Sequence, residues 1–134
     1  MSGASAGSGG GKKKLLVVED EADVRKMLVR MLSAFAEVDS AGDGVEALAK
    51  MQAGAIPDLL ITDVMMPQMD GLTLVRKLKQ DPKLSRVPVL MLTAKSGPRD
   101  TVAGINAGAR HYLTKPFKHE ELLDKVKKAL GQAR

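Results

Sequence analysis

Polar side chains of complementary type recur where short apolar runs end. Leu15-Leu16-Val17-Val18 gives way to Glu19-Asp20-Glu21, Leu59-Leu60-Ile61-Thr62 ends in Asp63, and Val89-Leu90-Met91-Leu92 ends in Thr93. A weaker stretch over residues 111–114 is followed by Lys115. Carboxylates brought together repel one another unless a cation joins them, and a hard divalent ion such as Mg²⁺ prefers oxygen ligands. A lysine adds a mobile point charge, and a threonine hydroxyl can donate to an oxyanion. A free carboxylate in such surroundings is a competent nucleophile. Together these residues suit transfer of a phosphoryl group onto Asp63, a reaction whose barrier falls mainly through positioning and charge compensation. Singly, each has a plainer explanation. Acids at residues 19–21 suit a helix start, Thr93 is an ordinary strand-end residue, Lys115 is a common surface charge, and Tyr112 fits a half-buried strand. The argument rests on their joint placement at successive strand ends.

That placement requires particular elements. Continuous apolar runs of this length fit strands covered on both faces, as in a parallel sheet. Two weaker strands are expected over residues 37–41 and 111–114. Between the strands, Val24, Met27, Leu28, Met31, Leu32 and Phe35 repeat at helical spacing and form one apolar stripe. Val45, Leu48, Ala49 and Gln52 suggest a shorter helix after Asp43-Gly44. Leu72, Val75 and Leu78 follow Gly71 in another, which Asp81-Pro82 ends. Leu122, Leu123, Val126, Ala129 and Leu130 mark the last helix. Residues 98–107 predict a marginal helix, weakened by Gly104 by roughly 1 kcal/mol relative to alanine. Such a helix would be easy to move. Five strands alternating with five helices predict a doubly wound α/β fold with right-handed crossovers. In that fold ligands bind beyond the C-terminal strand ends, where strand order reverses.

The 134 residues suffice for one domain. Residues 1–11 hold only Met, Gly, Ala and Ser and read as a flexible tail or tag, leaving residues 12–134 as the domain. With two Phe, one Tyr and no Trp, the core must be aliphatic, with eight Met as filler. No cysteine is present, which excludes disulfides and thiolate metal sites. No apolar run approaches the ~20 residues of a membrane span, and no secretory signal is evident, so a cytoplasmic location is expected. The net charge of +5 is scattered beside acids without interleaved aromatics, which argues against nucleic-acid binding.

At these residues the chain resembles the receiver domains of two-component response regulators. The matching stretches are LLVVEDE at residues 15–21, PDLLITDVMMPQMDG at 57–71, VPVLMLTA at 87–94 and GARHYLTKPF at 108–117. The resemblance implies a flavodoxin-like (βα)5 fold, a five-stranded parallel sheet doubly wound. It implies a protein that takes a phosphoryl group from a histidine kinase or a histidine phosphotransfer protein, then switches a surface that controls a downstream protein. Asp63 matches the phosphoacceptor. Asp20, Asp63 and the Met65 backbone carbonyl match the direct Mg²⁺ ligands, with Glu19 acting through water. Thr93 matches the switch hydroxyl, Lys115 the phosphoryl-binding lysine, Tyr112 the aromatic switch position, and Pro116 the partner in a cis Lys115–Pro116 bond that aims the lysine inward. His111 stands where an acid is common. Met65 and Lys95 occupy positions that tune phosphoryl lifetime in this family.

Such a protein would not be an enzyme beyond catalysing its own phosphorylation and dephosphorylation. A free-standing regulator of the chemotaxis type is the first expectation, since the chain ends soon after its last helix. A receiver cut from a larger regulator or hybrid histidine kinase is the alternative. An aspartyl-phosphate phosphatase of the haloacid-dehalogenase type would want a second Asp where Met65 stands. A pseudo-receiver without phosphoryl chemistry usually lacks one of the acids or the lysine.

Overall fold

The computed structural model describes residues 12–66, 68–93 and 108–131. Five parallel strands form one sheet: β1 (Lys14–Val18), β2 (Glu37–Ala41), β3 (Leu59–Asp63), β4 (Val89–Thr93) and β5 (His111–Thr114), in the spatial order β2-β1-β3-β4-β5. Four helices are described: α1 (Ala22–Leu32), α2 (Gly44–Gln52), α3 (Gly71–Gln80) and α4 (His119–Ala129). The doubly wound fold expected from the alternation is the one observed. The marginal helix over residues 98–107 lies outside the described residues, as do Lys95 and the tail over residues 1–11.

The inner strands β1, β3 and β4 are apolar runs because both of their faces are covered, whereas the edge strands β2 and β5 carry polar residues and are partly exposed. Every residue of β3 and β4 is buried. Period-two alternation sorts their side chains to two cores. Leu16, Val18, Leu60, Val89 and Met91 pack with Ala47, Met51, Leu74, Val75 and Leu78 of α2 and α3. Leu15, Val17, Leu59, Ile61, Leu90 and Leu92 pack with Leu28 and Leu32 of α1 and Leu122 and Val126 of α4. Each fully buried Leu or Ile stabilises the fold by about 2 kcal/mol.

Two helical stripes differ from expectation. In α1, Met27 is 44% exposed, and the helix ends at Leu32, so Phe35 reaches the core from the following turn. In α2 the buried residues are Gly44, Ala47 and Met51, while Val45 is 48% exposed and Ala49 and Gln52 face outward. The cause is a close approach: a Cβ on Gly44 would sit 2.8 Å from the Met69 carbonyl oxygen. Small residues therefore turn toward the neighbouring loop, and Val45 turns away.

Candidate functional site

Strand order reverses beside β1, since the chain leaves β1 for β2 on one side and then crosses to β3 on the other. Parallel pairing sets Val18 beside Thr62 and Asp63 beside Leu92, and places Thr93 beside Thr114. The strands therefore end level with one another, and the residues at or just beyond their ends share a rim. One carboxylate oxygen from each of Glu19, Asp20 and Asp63 lies within 4.8 Å of the other two. Glu19 and Asp63 are buried and Asp20 is exposed.

Lys115 closes the rim. Its Nζ lies 2.7 Å from Asp63 Oδ1 and donates to Glu19 Oε1 at 3.0 Å. Its backbone N–H donates to the Thr93 carbonyl at 2.7 Å, which joins the ends of β4 and β5. The Lys115–Pro116 peptide is cis. Thr93 itself is buried. Tyr112 is half-buried against the α2 and α3 side of the core, and its hydroxyl donates to the Ala109 carbonyl at 2.8 Å. Met65 is 74% exposed beside this rim.

The electrostatics follow from two buried carboxylates sharing one ammonium. Burial pushes the Asp63 carboxyl up, its hydrogen bond with Glu19 pushes it further, and Lys115 opposes both, leaving it at about 7. Burial acts on Glu19 in the same sense. There, hydrogen bonds from Asp63, the Glu21 N–H and Lys115 outweigh it and hold the carboxyl below its ordinary value. Burial disfavours the Lys115 ammonium, but its hydrogen bonds to Asp63 and Glu19 outweigh that and raise it. Fully ionised, three carboxylates and one ammonium leave a net charge of −2, which suits one hard divalent cation.

Several supports were not legible in the sequence. A Cβ on Gly71 would overlap the Asp63 carbonyl oxygen, and the Gly71 N–H donates to the Val64 carbonyl at 2.8 Å. Glycine thus lets α3 start against the acidic strand end. Asp70 caps that helix by accepting from the Thr73 N–H at 2.8 Å. Arg25 of α1 donates through Nη1 to the Glu19 carbonyl at 2.7 Å. An arginine four residues beyond an acidic run reads in sequence as solvated helix charge, so nothing there signals this contact.

The family model for the response regulator receiver domain matches residues 15–127. This chain belongs to that family. The receiver is 44% identical over 115 residues to the response regulator PleD of Caulobacter vibrioides, covering 85% of this chain but 25% of that protein. It is 38% identical over 120 residues to the chemotaxis protein CheY1 of Helicobacter pylori, covering 88% of this chain and 97% of that one. Among solved structures, the chemotaxis protein CheY4 of Vibrio cholerae superposes with a TM-score of 0.82 at 37% identity, covering 89% of this receiver and 99% of that chain. The chain thus spans about a quarter of PleD and nearly all of CheY1. No helix among the described residues is long and apolar enough to cross a membrane.

Proposed function

We propose that this receiver accepts a phosphoryl group on Asp63 from a phosphohistidine, and that the modification switches a surface that controls a partner protein. The carrying observation is the meeting of Asp63, Glu19, Asp20 and Lys115 at one strand-end rim. Residues 12–134 form the functional unit. Asp20, Asp63 and the Met65 carbonyl would hold Mg²⁺ directly, and Glu19 would act through a water. When bound, Mg²⁺ supplies charge compensation to phosphoryl oxygens.

The chain's own residues carry the rest. Asp63 attacks phosphorus in line, forming an acyl phosphate as the bond from phosphorus to the imidazole nitrogen breaks, and the electron pair of that bond stays with the imidazole. Lys115, already beside Asp63, pairs with the incoming phosphoryl oxygens. Thr93 hydrogen-bonds one of them from the end of β4. Movement of Thr93 then permits Tyr112 to leave the Ala109 carbonyl and turn, which biases a two-state surface around β5 and α4. The receiver turns over no substrate besides its own acyl phosphate. Its partners would be a histidine kinase or histidine phosphotransfer protein upstream and a target protein downstream, in the cytoplasm.

Intact mass spectrometry with acetyl phosphate and Mg²⁺ tests this reading. The wild type should gain one phosphoryl mass and lose it with time, and Asp63→Asn should gain none. Full labelling of Asp63→Asn would move the acceptor elsewhere. Turnover of p-nitrophenyl phosphate would instead favour a phosphatase.

A further inference from the structure

Arg25 is half-buried on the first turn of α1 and forms no salt bridge among the described residues. Its Nη1 instead donates to the backbone carbonyl of Glu19 at 2.7 Å. That carbonyl belongs to the peptide between Glu19 and Asp20, so its direction sets where the Asp20 carboxylate points. The same segment is held at two further points. The Glu19 N–H donates to the Ala41 carbonyl at 3.1 Å, and the Glu21 N–H donates back to Glu19 Oε2 at 3.1 Å. The guanidinium lies beside Gly42, where a Cβ would meet Arg25 Nη1 at 3.5 Å, an ordinary van der Waals contact.

We propose that Arg25 is a positioning residue for the cation site, fixing the Glu19–Asp20 peptide so that the exposed Asp20 converges with the buried Glu19 and Asp63. The inference rests on the proposed cation site. Arg25 does not touch the reacting atoms. It holds the one acid of the three that burial does not fix. It also occupies the Glu19 carbonyl, so that oxygen is not offered to a cation.

The proposal has a sign that electrostatics alone would reverse. A guanidinium near a divalent cation repels it, so removing a bystander charge would tighten Mg²⁺ binding. Removing a positioning contact would weaken it. The test is an isothermal titration of Mg²⁺ into the full chain, freed of metal and held at fixed ionic strength. Arg25→Met keeps the apolar stem and loses the donor, and should raise the Kd about tenfold, the worth of one charge-assisted hydrogen bond. Arg25→Lys keeps a cationic donor and should return the Kd to within about threefold of wild type. Should Arg25→Met fail to fold, Arg25→Gln, neutral and shorter, reads the same sign against Arg25→Lys. An unchanged or tighter Kd in the neutral variants overturns the role, even if their melting temperature falls. A wild type that takes up no Mg²⁺, or an Asp63→Asn variant that binds it equally well, marks failure of the cation site itself and not of Arg25.

Discussion

The Lys115 ammonium bridges Asp63 and Glu19, at 2.7 Å and 3.0 Å, across 96 residues of sequence from Glu19. One cation is thereby shared between two carboxylates that are both buried. Much of the behaviour expected of this receiver follows from that imbalance.

Removing the lysine should separate stability from cation affinity. Lys115→Met leaves two buried carboxylates without their cation and should cost about 3–5 kcal/mol in EDTA. Millimolar Mg²⁺ should recover most of that loss. Mg²⁺ affinity should rise by at least about tenfold, because a positive charge beside the proposed cation site is gone. Phosphorylation from acetyl phosphate should slow by about 100-fold or more. Urea melts with and without Mg²⁺ check the first claim, calorimetry the second and mass spectrometry the third. A variant that melts like wild type in EDTA would mean that the bridge contributes little.

The metal-free receiver should lose stability as pH rises from about 4 to about 7. Asp63 takes its proton up to about 7 in the fold against 3.8 in a model peptide, so the native state binds more protons than the unfolded one across that window. Glu19 acts oppositely. Its carboxyl is lowered from 4.5, so the stability it contributes is full above that value and is lost only in more acid solution. Between 4.5 and 7 the Asp63 effect is opposed by His111, whose imidazole is held below 6.5 by burial and by Lys125 and Arg110, so that its contribution to stability rises with pH there. The Asp63 shift is the larger and sets the net fall. Asp63→Asn should flatten the slope and be the more stable protein at pH 8 in EDTA, by an amount on the order of 2 kcal/mol. Denaturant melts at several pH values measure this, and a wild-type stability that rises over that window would contradict the shared-cation picture.

Gly71→Ala should be costly for a conservative change. The added methyl group would overlap the Asp63 carbonyl oxygen, so the start of α3 must move from the sheet. A loss of about 2–4 kcal/mol is expected by urea denaturation, with a matching loss of Mg²⁺ affinity. A loss below about 1 kcal/mol would mean that this approach is loose.

Gln68 has φ 70, the left-handed region. Gln68→Gly should therefore be neutral or stabilising, by up to about 1 kcal/mol. Destabilisation by that substitution would mean that the side chain makes contacts worth more than the backbone strain.

The three inner strands were readable because burial on both faces leaves them continuously apolar, and their ends named Glu19, Asp20, Asp63 and Thr93. The edge strands, partly exposed and polar, gave a weaker signal, and Lys115 follows one of them. The alternation of strands and helices implied a doubly wound parallel sheet, but the order of its strands came only with the structure. The helical faces were less readable. Val45 is larger and more apolar than Gly44, yet Gly44 is the buried one, because the approach of Met69 selects for small size. Met27 fits the α1 stripe by spacing but sits at its exposed margin. The pairing of Lys115 with Glu19 could not be read, since spacing gives convergence on a rim and not which oxygen meets which nitrogen. Arg25 and Gly71 act on backbone carbonyls, and contacts to backbone leave no pattern in side-chain types.

The most direct measurement is chemical mapping of the acceptor. An acyl phosphate on an aspartate is reduced by borohydride to homoserine. The receiver treated with acetyl phosphate and Mg²⁺, then reduced and digested, should show homoserine at position 63 and nowhere else. Homoserine at position 20, or none despite a recorded phosphoryl mass, would contradict the assignment of Asp63.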